Sequence, residues 1–372
     1  MASPISSRIF GVLPTGQTVE AWTLTGRGGL VVEAITYGGI VTRILAPDRS
    51  GRLDDVVLGF AHLDSYLAGH PYFGAITGRV AGRITGAAFT LEGHTYQLAR
   101  NEPPHHLHGG VEGFDKRLWR ATPIDREDSI PSLRLSYRSP DGEEGYPGNV
   151  EVAVTYTVTD QNAFVIETEA TSDRTTPLCL THHSYFNLAG EASGSIADHW
   201  LEIFASEFVS VDESLALSGH LESATSRGND FRAPRRMGDA IDRLFQGHGD
   251  LYRLPARNKN AMQLAARLAD PESGRTMTVS TTESYLQLYT GSHLTGAHRG
   301  KSGAVYGRHA GICLECEGYP DTSNSELRGD TLIHPGQTQR RATEYAFAVC
   351  AGNNDTSAAG APEDPQEGTS RR

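Results

Sequence analysis

The stretch that decides the fold class is residues 150–170, which read VEVAVTYTV-TDQN-AFVIETEA. Apolar and polar residues alternate through 150–158 and again through 163–170, and both halves are rich in valine, threonine and aromatic residues. Alternation with a period of two places every second side chain on the same face of a strand. The intervening TDQN consists of polar residues that favour a turn. The stretch therefore predicts two strands joined by a short turn.

The same kind of pattern recurs along the chain. Residues 29–37 and 40–46 predict two strands, and residues 89–98 predict a hairpin with its turn at Glu92-Gly93. Residues 261–268 carry apolar side chains at mixed spacing, so helix and strand stay open there. Convincing helix caps are few, and no repeat of fixed period is visible. The chain is therefore predicted to be all-β, with few short helices.

Composition and charge set limits on the class of protein. The chain has 372 residues, 41 glycines and a formal net charge of −12, which disfavours binding of nucleic acid over a broad surface. No apolar run approaches the length of a membrane span, and the N-terminus lacks the apolar core of a secretory signal, so a cytoplasmic location is expected. Residues 353–372 are small and polar and predict a disordered tail after a single β domain over residues 1–352.

Two histidine-bearing loops are candidates for chemistry. The first contains His105, His106 and His108, and the second begins at His182 and His183; both end in glycine. Histidine exchanges protons near neutral pH, so these loops could form the rim of a catalytic pocket. The alternative is that they are surface loops whose imidazoles are satisfied by local hydrogen bonds.

The segment 311–317, GICLECE, contains a C-x-x-C pair that could suggest zinc or redox chemistry. The segment reads as a strand, however, and positions three apart on a strand face opposite sides. Cys313 and Cys316 should therefore point away from each other. By the same parity Cys313, Glu315 and Glu317 share one face, where Glu315 is either a candidate base tuned by burial or an ordinary solvent-facing carboxylate.

Several longer segments resemble the aldose 1-epimerase, or galactose mutarotase, family. They occur in family order between roughly residues 10 and 350, and they are YFGAITGR (72–79), LHGG (107–110), GFDKRLW (113–119), SPDGEEGYPG (139–148), LTHHSYFNLAG (180–190), LQLYTG (286–291) and GICLE (311–315). The resemblance implies a large antiparallel β-sandwich. It also implies interconversion of the α and β anomers of a hexose, with galactose or glucose as the substrate.

The resemblance further implies roles for individual residues. His183 corresponds to the general acid and Glu315 to the general base. The residues that correspond to sugar-binding groups are Arg83, His108, Ser184, Tyr185, Asp250 and Gln287. Asp250 fits the family pattern only if one residue is deleted before it.

Two positions depart from the family pattern. Gly82, before Arg83, and His182, before His183, each stand where the family usually has asparagine. Either change could alter the sugar preference or mark a relative with a different substrate.

Ring opening of a hemiacetal needs only a base at the C1 hydroxyl and an acid at the ring oxygen. The expected cofactor set is therefore empty, with no metal, and the expected partner is a small aldose, with neither nucleic acid nor membrane. A monomer or weak homodimer is expected. Two alternatives stay open, a sugar-binding module without turnover and an epimerase for a modified or phosphorylated hexose.

Overall fold

The computed structural model of the protein describes residues 4–126, 128–226, 228–255, 261–321, 324 and 331–350. The predicted tail, 353–372, lies outside the described residues. Strands dominate the described part, and its helices are short. None of these helices combines the length and the apolar character that crossing a bilayer requires.

The elements follow one another as short strands with tight connections. The first part of the chain forms β1 Ile5–Val12, β2 Thr18–Thr25, β3 Val31–Ile35, β4 Val41–Pro47, β5 Leu53–Asp55, α1 Leu63–Leu67, β6 Ile76–Thr77, β7 Arg83–Ile84, β8 Ala88–Leu91, β9 His94–Gln97, β10 His106–Leu107, β11 Arg120–Ile124, β12 Ser132–Ser139, β13 Val150–Val158 and β14 Ala163–Ser172.

The second part continues in the same way. It forms β15 Thr176–Pro177, β16 Thr181–His182, β17 Trp200–Ile203, β18 Glu207–Val211, β19 Leu217–Ser223, β20 Arg235–Arg236, α2 Met237–Ala240, β21 Leu251–Arg253, β22 Gln263–Ala269, β23 Arg275–Thr281, β24 Tyr285–Tyr289, β25 Cys313–Glu317, β26 Leu332–Ile333 and β27 Thr338–Val349. Single 3-10 turns lie at 85–87, 114–116, 143–145, 241–243 and 245–247.

Three larger sheets contain 19 of the described strands, four two-stranded sheets contain the other eight, and every pair of named strands is antiparallel. The first sheet is the meander β1-β2-β3-β4-β5, and the largest has the order β11-β12-β13-β14-β27-β23-β22-β17-β20. The third has the order β19-β18-β21-β24-β25. One core cluster contains side chains from all three sheets, including Val32, Val154 and Leu314. The predicted all-β class with few short helices is confirmed.

The hairpin predicted over residues 150–170 forms part of the largest sheet. β13 and β14 pair from Val150 with Ser172 to Val158 with Phe164. The alternate residues Val150, Val152 and Val154 are buried in the core, as the period of two predicts. Within the ambiguous segment 261–268, residues 263–268 belong to strand β22, because β17 and β23 pair with this strand on its two sides.

Candidate active site

A pocket of about 220 Å³ opens beside β24 and β25. Short segments from distant parts of the chain form its walls, namely the ends of β7, β10 and β16, the turn before β21 and the two strands themselves. Six of the eight residues expected to form the site line it: Arg83, His108, His183, Tyr185, Gln287 and Glu315. The volume lies below the range usual for drug-sized ligands, so the pocket suits one small molecule.

β25 has two buried faces, and its parity decides which side chains reach the pocket. Glu315 and Glu317 line the pocket, whereas Leu314 and Cys316 belong to the main hydrophobic core. All five residues of the strand are buried. The predicted opposition of Cys313 and Cys316 is confirmed, since Cys313 packs in a separate cluster on the pocket side. The solvent-facing alternative for Glu315 is wrong, because this residue is only 2% exposed.

The two histidine loops are also buried rather than superficial. His106 donates from Nδ1 to the Ala99 carbonyl oxygen and accepts at Nε2 from the Tyr146 hydroxyl, at 2.8 Å each, so its role is structural. His108 and His183 line the pocket with their rings 5.2 Å apart. The alternative of surface loops is therefore wrong for these segments, and only part of the histidine set faces the pocket.

His183 and Glu315 form a buried pair at the pocket wall. The His183 Nε2 atom lies 3.5 Å from the Glu315 Oε2 atom, and both side chains are almost fully enclosed. Backbone hydrogen bonds of 2.9 Å to Ala75 and Gly74 hold His183 in place. Its ring stacks on that of Tyr185 at a centroid distance of 5.0 Å. The imidazole is therefore fixed both in position and in tilt.

Burial shifts the proton affinities of this pair in opposite directions. It lowers the pKa of His183 to about 3, and it raises the pKa of Glu315 to about 8 although the positive charge of Arg83 opposes that shift. Both shifts favour the uncharged forms, as expected in a region of low polarity. The pair therefore holds one transferable proton across a broad range around neutral pH.

Two further groups present hydrogen-bond donors to the pocket. The Gly82 backbone N–H donates to His108 Nδ1 at 3.1 Å, which leaves the proton of the neutral ring on Nε2. Burial lowers the pKa of His108 well below its ordinary value, so the ring is neutral. Arg83 donates from Nη2 to Glu102 Oε1 at 3.1 Å, which orients its guanidinium.

Ser184 and Asp250 are placed differently from the expectation. Ser184 lies between His183 and Tyr185, which both line the pocket, so its side chain faces the opposite side of the extended backbone. Asp250 is buried and accepts a hydrogen bond from Asn229 Nδ2. His248, two residues earlier, lines the pocket instead. Neither Ser184 nor Asp250 belongs to the lining of this pocket.

Comparison with known proteins agrees with the resemblance in the sequence. The family model described as aldose 1-epimerase matches residues 20–346. The galactose mutarotase of Sus scrofa is 42% identical over 346 residues, which cover 93% of this chain and 99% of that protein. The aldose 1-epimerase of Escherichia coli K12 is 33% identical over 342 residues, covering 90% of this chain and 96% of that one.

The chain belongs to the aldose 1-epimerase family.

A solved structure supports the same conclusion at the level of the fold. An aldose epimerase homologue from C. elegans superimposes with a TM-score of 0.81 and 28% identity, covering 88% of this chain and 98% of that chain. The family and the architecture inferred from the sequence are thereby confirmed. The roles of individual residues rest on the pocket described above.

The two departures from the family pattern have different surroundings in this aldose 1-epimerase family member. Gly82 lines the pocket with a φ of +74°, and a β-carbon there would lie 2.6 Å from Pro320 Cγ. Only glycine fits this backbone without displacing the proline ring. His182 points into the core, where its ring meets those of Tyr156 and Phe164.

Several pocket residues were absent from the predicted site. They are Tyr72, Glu102, His248, Tyr289, His293 and Glu317. The parity of β25 already placed Glu317 on the face of Glu315, so this signal was available in the sequence. The same parity on β24 places Tyr289 on the face of Gln287. The others lie on segments whose approach to the pocket no local pattern reveals.

One group in the pocket matches the spacing of a metal site. Ligand atoms of His108, His183 and Glu315 lie within 4.8 Å of one another. The Gly82 N–H on His108 Nδ1 argues against a metal, since it requires that nitrogen to be the acceptor and leaves Nε2 protonated. Metal-free chemistry stays a prediction.

Proposed function

We propose that this protein interconverts the α and β anomers of an aldose, with galactose or glucose as the substrate. Glu315 acts as the general base and His183 as the general acid. The observation that carries the proposal is the buried pair itself, with 3.5 Å between His183 Nε2 and Glu315 Oε2 at the wall of a pocket of monosaccharide scale. A carboxyl and an imidazole whose pKa values move apart are typical of acid–base catalysis.

The chemistry needs one proton to leave the sugar and another to reach it. Transfer of the shared proton from Glu315 to His183 produces a carboxylate and an imidazolium. The carboxylate takes the proton of the C1 hydroxyl while the imidazolium protonates the ring oxygen, so the C1–ring-oxygen bond breaks and an aldehyde forms. Rotation about C1–C2 presents the other face of the aldehyde. The reverse transfers close the ring and restore the pair.

The remaining pocket groups suit the binding of a neutral sugar. Arg83, the His108 Nε2–H and the Gln287 amide supply polar contacts for hydroxyl groups. Tyr185 stacks against His183 and supplies an apolar wall. Arg83 also offers its positive charge to the developing charge on the sugar oxygens. Ser184 and Asp250 do not line the pocket, so no sugar contact is assigned to them.

The pocket charge disfavours a phosphorylated substrate. Among the described residues that line the pocket, Arg83 is the only lysine or arginine, and it is already paired with Glu102. Glu315 and Glu317 add two buried carboxyl groups to the same cavity. A phosphate group would have to approach these two carboxyl groups with little positive charge to offset the cost of burying its own charge. A neutral aldose meets no such obstacle.

The expectations about location, oligomeric state, binding partners and domain organisation are part of this proposal. We propose a cytoplasmic protein, a monomer or weak homodimer, that binds neither nucleic acid nor membranes. The net charge of −12 supports the first of these exclusions. A single domain over residues 1–352 followed by a disordered tail also stays a proposal.

Polarimetry of freshly dissolved α-D-galactose and α-D-glucose tests the activity. We expect the optical rotation to relax faster with the protein than in buffer alone, and at a rate proportional to protein concentration. The sugar-binding alternative predicts the spontaneous rate together with measurable heat of binding in calorimetry. That pair of results would contradict the proposed function.

A further inference from the structure

Glu317 is a buried carboxyl group in the pocket that the proposed acid–base chemistry does not use. It lines the cavity, is 2% exposed, and its Oε2 atom has no hydrogen-bond partner among the described residues. Burying a polar atom without a partner is costly, so such an atom in a ligand pocket points to a ligand.

Within the part of the chain that the structure describes, no cation is paired with this carboxyl group. Arg83 is paired with Glu102, and Glu315 lies against His183. Burial and the neighbouring carboxylates of Glu315 and Glu283 all raise the pKa of Glu317, and no positive group of the described residues offsets them. The histidines of the pocket do not supply the missing charge either, since burial lowers the pKa of His183 and of His248 to about 3 and about 4.

The Glu317 carboxyl group lies within reach of a second ring substituent when the C1 hydroxyl of a sugar is at Glu315. Glu315 and Glu317 are two residues apart on one face of β25, which separates their attachment points by about 7 Å. A pyranose with its C1 hydroxyl at Glu315 therefore presents substituents of its own ring toward Glu317. Gly82 lies beside the Glu317 carboxylate and has no side chain to fill the space, since a β-carbon there would be 3.5 Å from Oε1.

We propose that Glu317 makes the pocket selective for an aldose that carries a protonated amine on its ring, in preference to the neutral sugar of the same shape. The ammonium group would donate to Glu317 and stabilise its carboxylate form, so that a hydrogen-bonded ion pair replaces the neutral carboxyl group. An ammonium group and a hydroxyl group are nearly equal in size, so the difference between the two sugars is mainly one of charge. This proposal rests on the proposed function for the position of C1 at Glu315.

Calorimetry tests the binding without depending on turnover. The probes are the 2-amino-2-deoxy and 3-amino-3-deoxy forms of galactose and glucose, each compared with the parent sugar at a pH where the amine is protonated. We expect at least one amino sugar to bind about tenfold more tightly than its parent, as for a hydrogen bond between charged groups. Glu317→Gln should reduce that preference to about twofold or less, since glutamine keeps the shape without the charge.

Glu202→Gln is the control, because it removes a carboxylate of β17 that is paired with Arg267 and does not line the pocket. The preference for the amino sugar should survive in this variant. No preference in the wild type, or equal loss in Glu202→Gln and Glu317→Gln, would overturn the proposal. Polarimetry on galactose separates the two hypotheses: turnover of galactose without a preference for the amine leaves the proposed function intact and removes this inference alone.

Discussion

At the scale of single residues, the proposed catalysis depends on where one proton resides. His183 and Glu315 are both enclosed, and enclosure favours the neutral imidazole and the neutral carboxyl group. Moving the proton from one to the other changes no net charge in the cavity. Such a pair can supply an acid and a base in the same step, which is what opening a hemiacetal requires.

Removing either member should therefore stop the reaction without unfolding the protein. We expect Glu315→Gln and His183→Asn each to lower kcat by about 10²-fold or more, with a smaller change in KM, because each proton transfer acts in the transition state. Polarimetric progress curves give kcat and KM, and circular dichroism checks the fold. A folded Glu315→Gln with an unchanged rate would show that another group is the base.

The pair also predicts the alkaline limb of the pH profile. The pKa of Glu315 is raised to about 8, so the pair keeps its proton below that pH and loses it above. We expect kcat/KM to fall as the pH rises through about 8, since no acid then remains for the ring oxygen. The relevant value belongs to the pair rather than to one residue. A fall in kcat/KM centred near pH 6.5 would instead indicate that a histidine with an ordinary pKa governs the rate.

Gly82 is a residue whose effect is steric. Its φ of +74° and the approach of Pro320 leave no room for a side chain. We expect Gly82→Asn, the usual family residue, to lower the melting temperature and to raise KM, because the proline ring must move out of the way. Calorimetric melting and polarimetry measure the two effects.

Gly86 supplies the control for that substitution. It has a similar φ of +68°, but a β-carbon there would meet nothing within 4 Å. Gly86→Asn should therefore show the backbone cost alone, which is small for asparagine at positive φ. Equal losses in the two variants would mean that Pro320 does not matter.

At the scale of elements, strand parity sorts neighbouring residues between pocket and core. Across β16 and the residue after it, His183 faces the pocket and His182 faces the core. In β25 the same rule separates Glu315 from Cys316. A shift of one residue in either strand would exchange catalytic and structural side chains.

His182 should accordingly matter for stability rather than for turnover. We expect His182→Asn to keep kcat/KM within about threefold of the wild type. Burial lowers the pKa of His182 to about 3, so its contribution to stability is present above about 6.5 and is lost as the pH falls toward 3. Between pH 7.5 and 4.5 the free energy of unfolding should therefore decrease less in the variant than in the wild type. The difference between the two decreases should be about 2 kcal/mol.

Urea unfolding at the two pH values measures this difference. His183→Asn is the comparison for activity, since it changes the neighbouring residue that faces the pocket. If His182→Asn were the more damaging to kcat, the register of β16 used here would be wrong.

At the scale of the whole molecule, buried cations join sheets that are distant in sequence. Arg275 at the start of β23 is 1% exposed and donates to the carbonyl oxygens of Ala46, Arg52 and Leu188 at 2.8–3.3 Å. These bonds tie the largest sheet to the first meander and to the segment that follows His183. The orientation of the pocket thus depends on contacts far from it.

Arg275→Met should destabilise the protein by about 3 kcal/mol or more, because it leaves three buried carbonyl oxygens without their donor. Equilibrium unfolding in urea gives the value. Arg236→Met is the control, since Arg236 pairs with Asp198 and Asp239 at the exposed surface, and its loss should change the free energy of unfolding far less. Similar losses in both variants would contradict the role assigned to Arg275.

The sequence by itself determined what depends on near neighbours along the chain. Period-two alternation identified the hairpin of β13 and β14, and parity placed Glu315 and Cys316 on opposite faces of one strand. The ordered family segments then identified the family. These features were accessible because a strand orients its side chains by local backbone geometry alone.

Only the tertiary structure decided what depends on residues far apart. It made residues 263–268 part of a strand through pairing on both sides, left Asp250 outside the lining of the pocket, and brought His248 and Glu102 to it. It also enclosed His183 and Glu315, which moved their pKa values in opposite directions. No local pattern contains this information, because burial and the meeting of distant segments arise only when the sheets pack together.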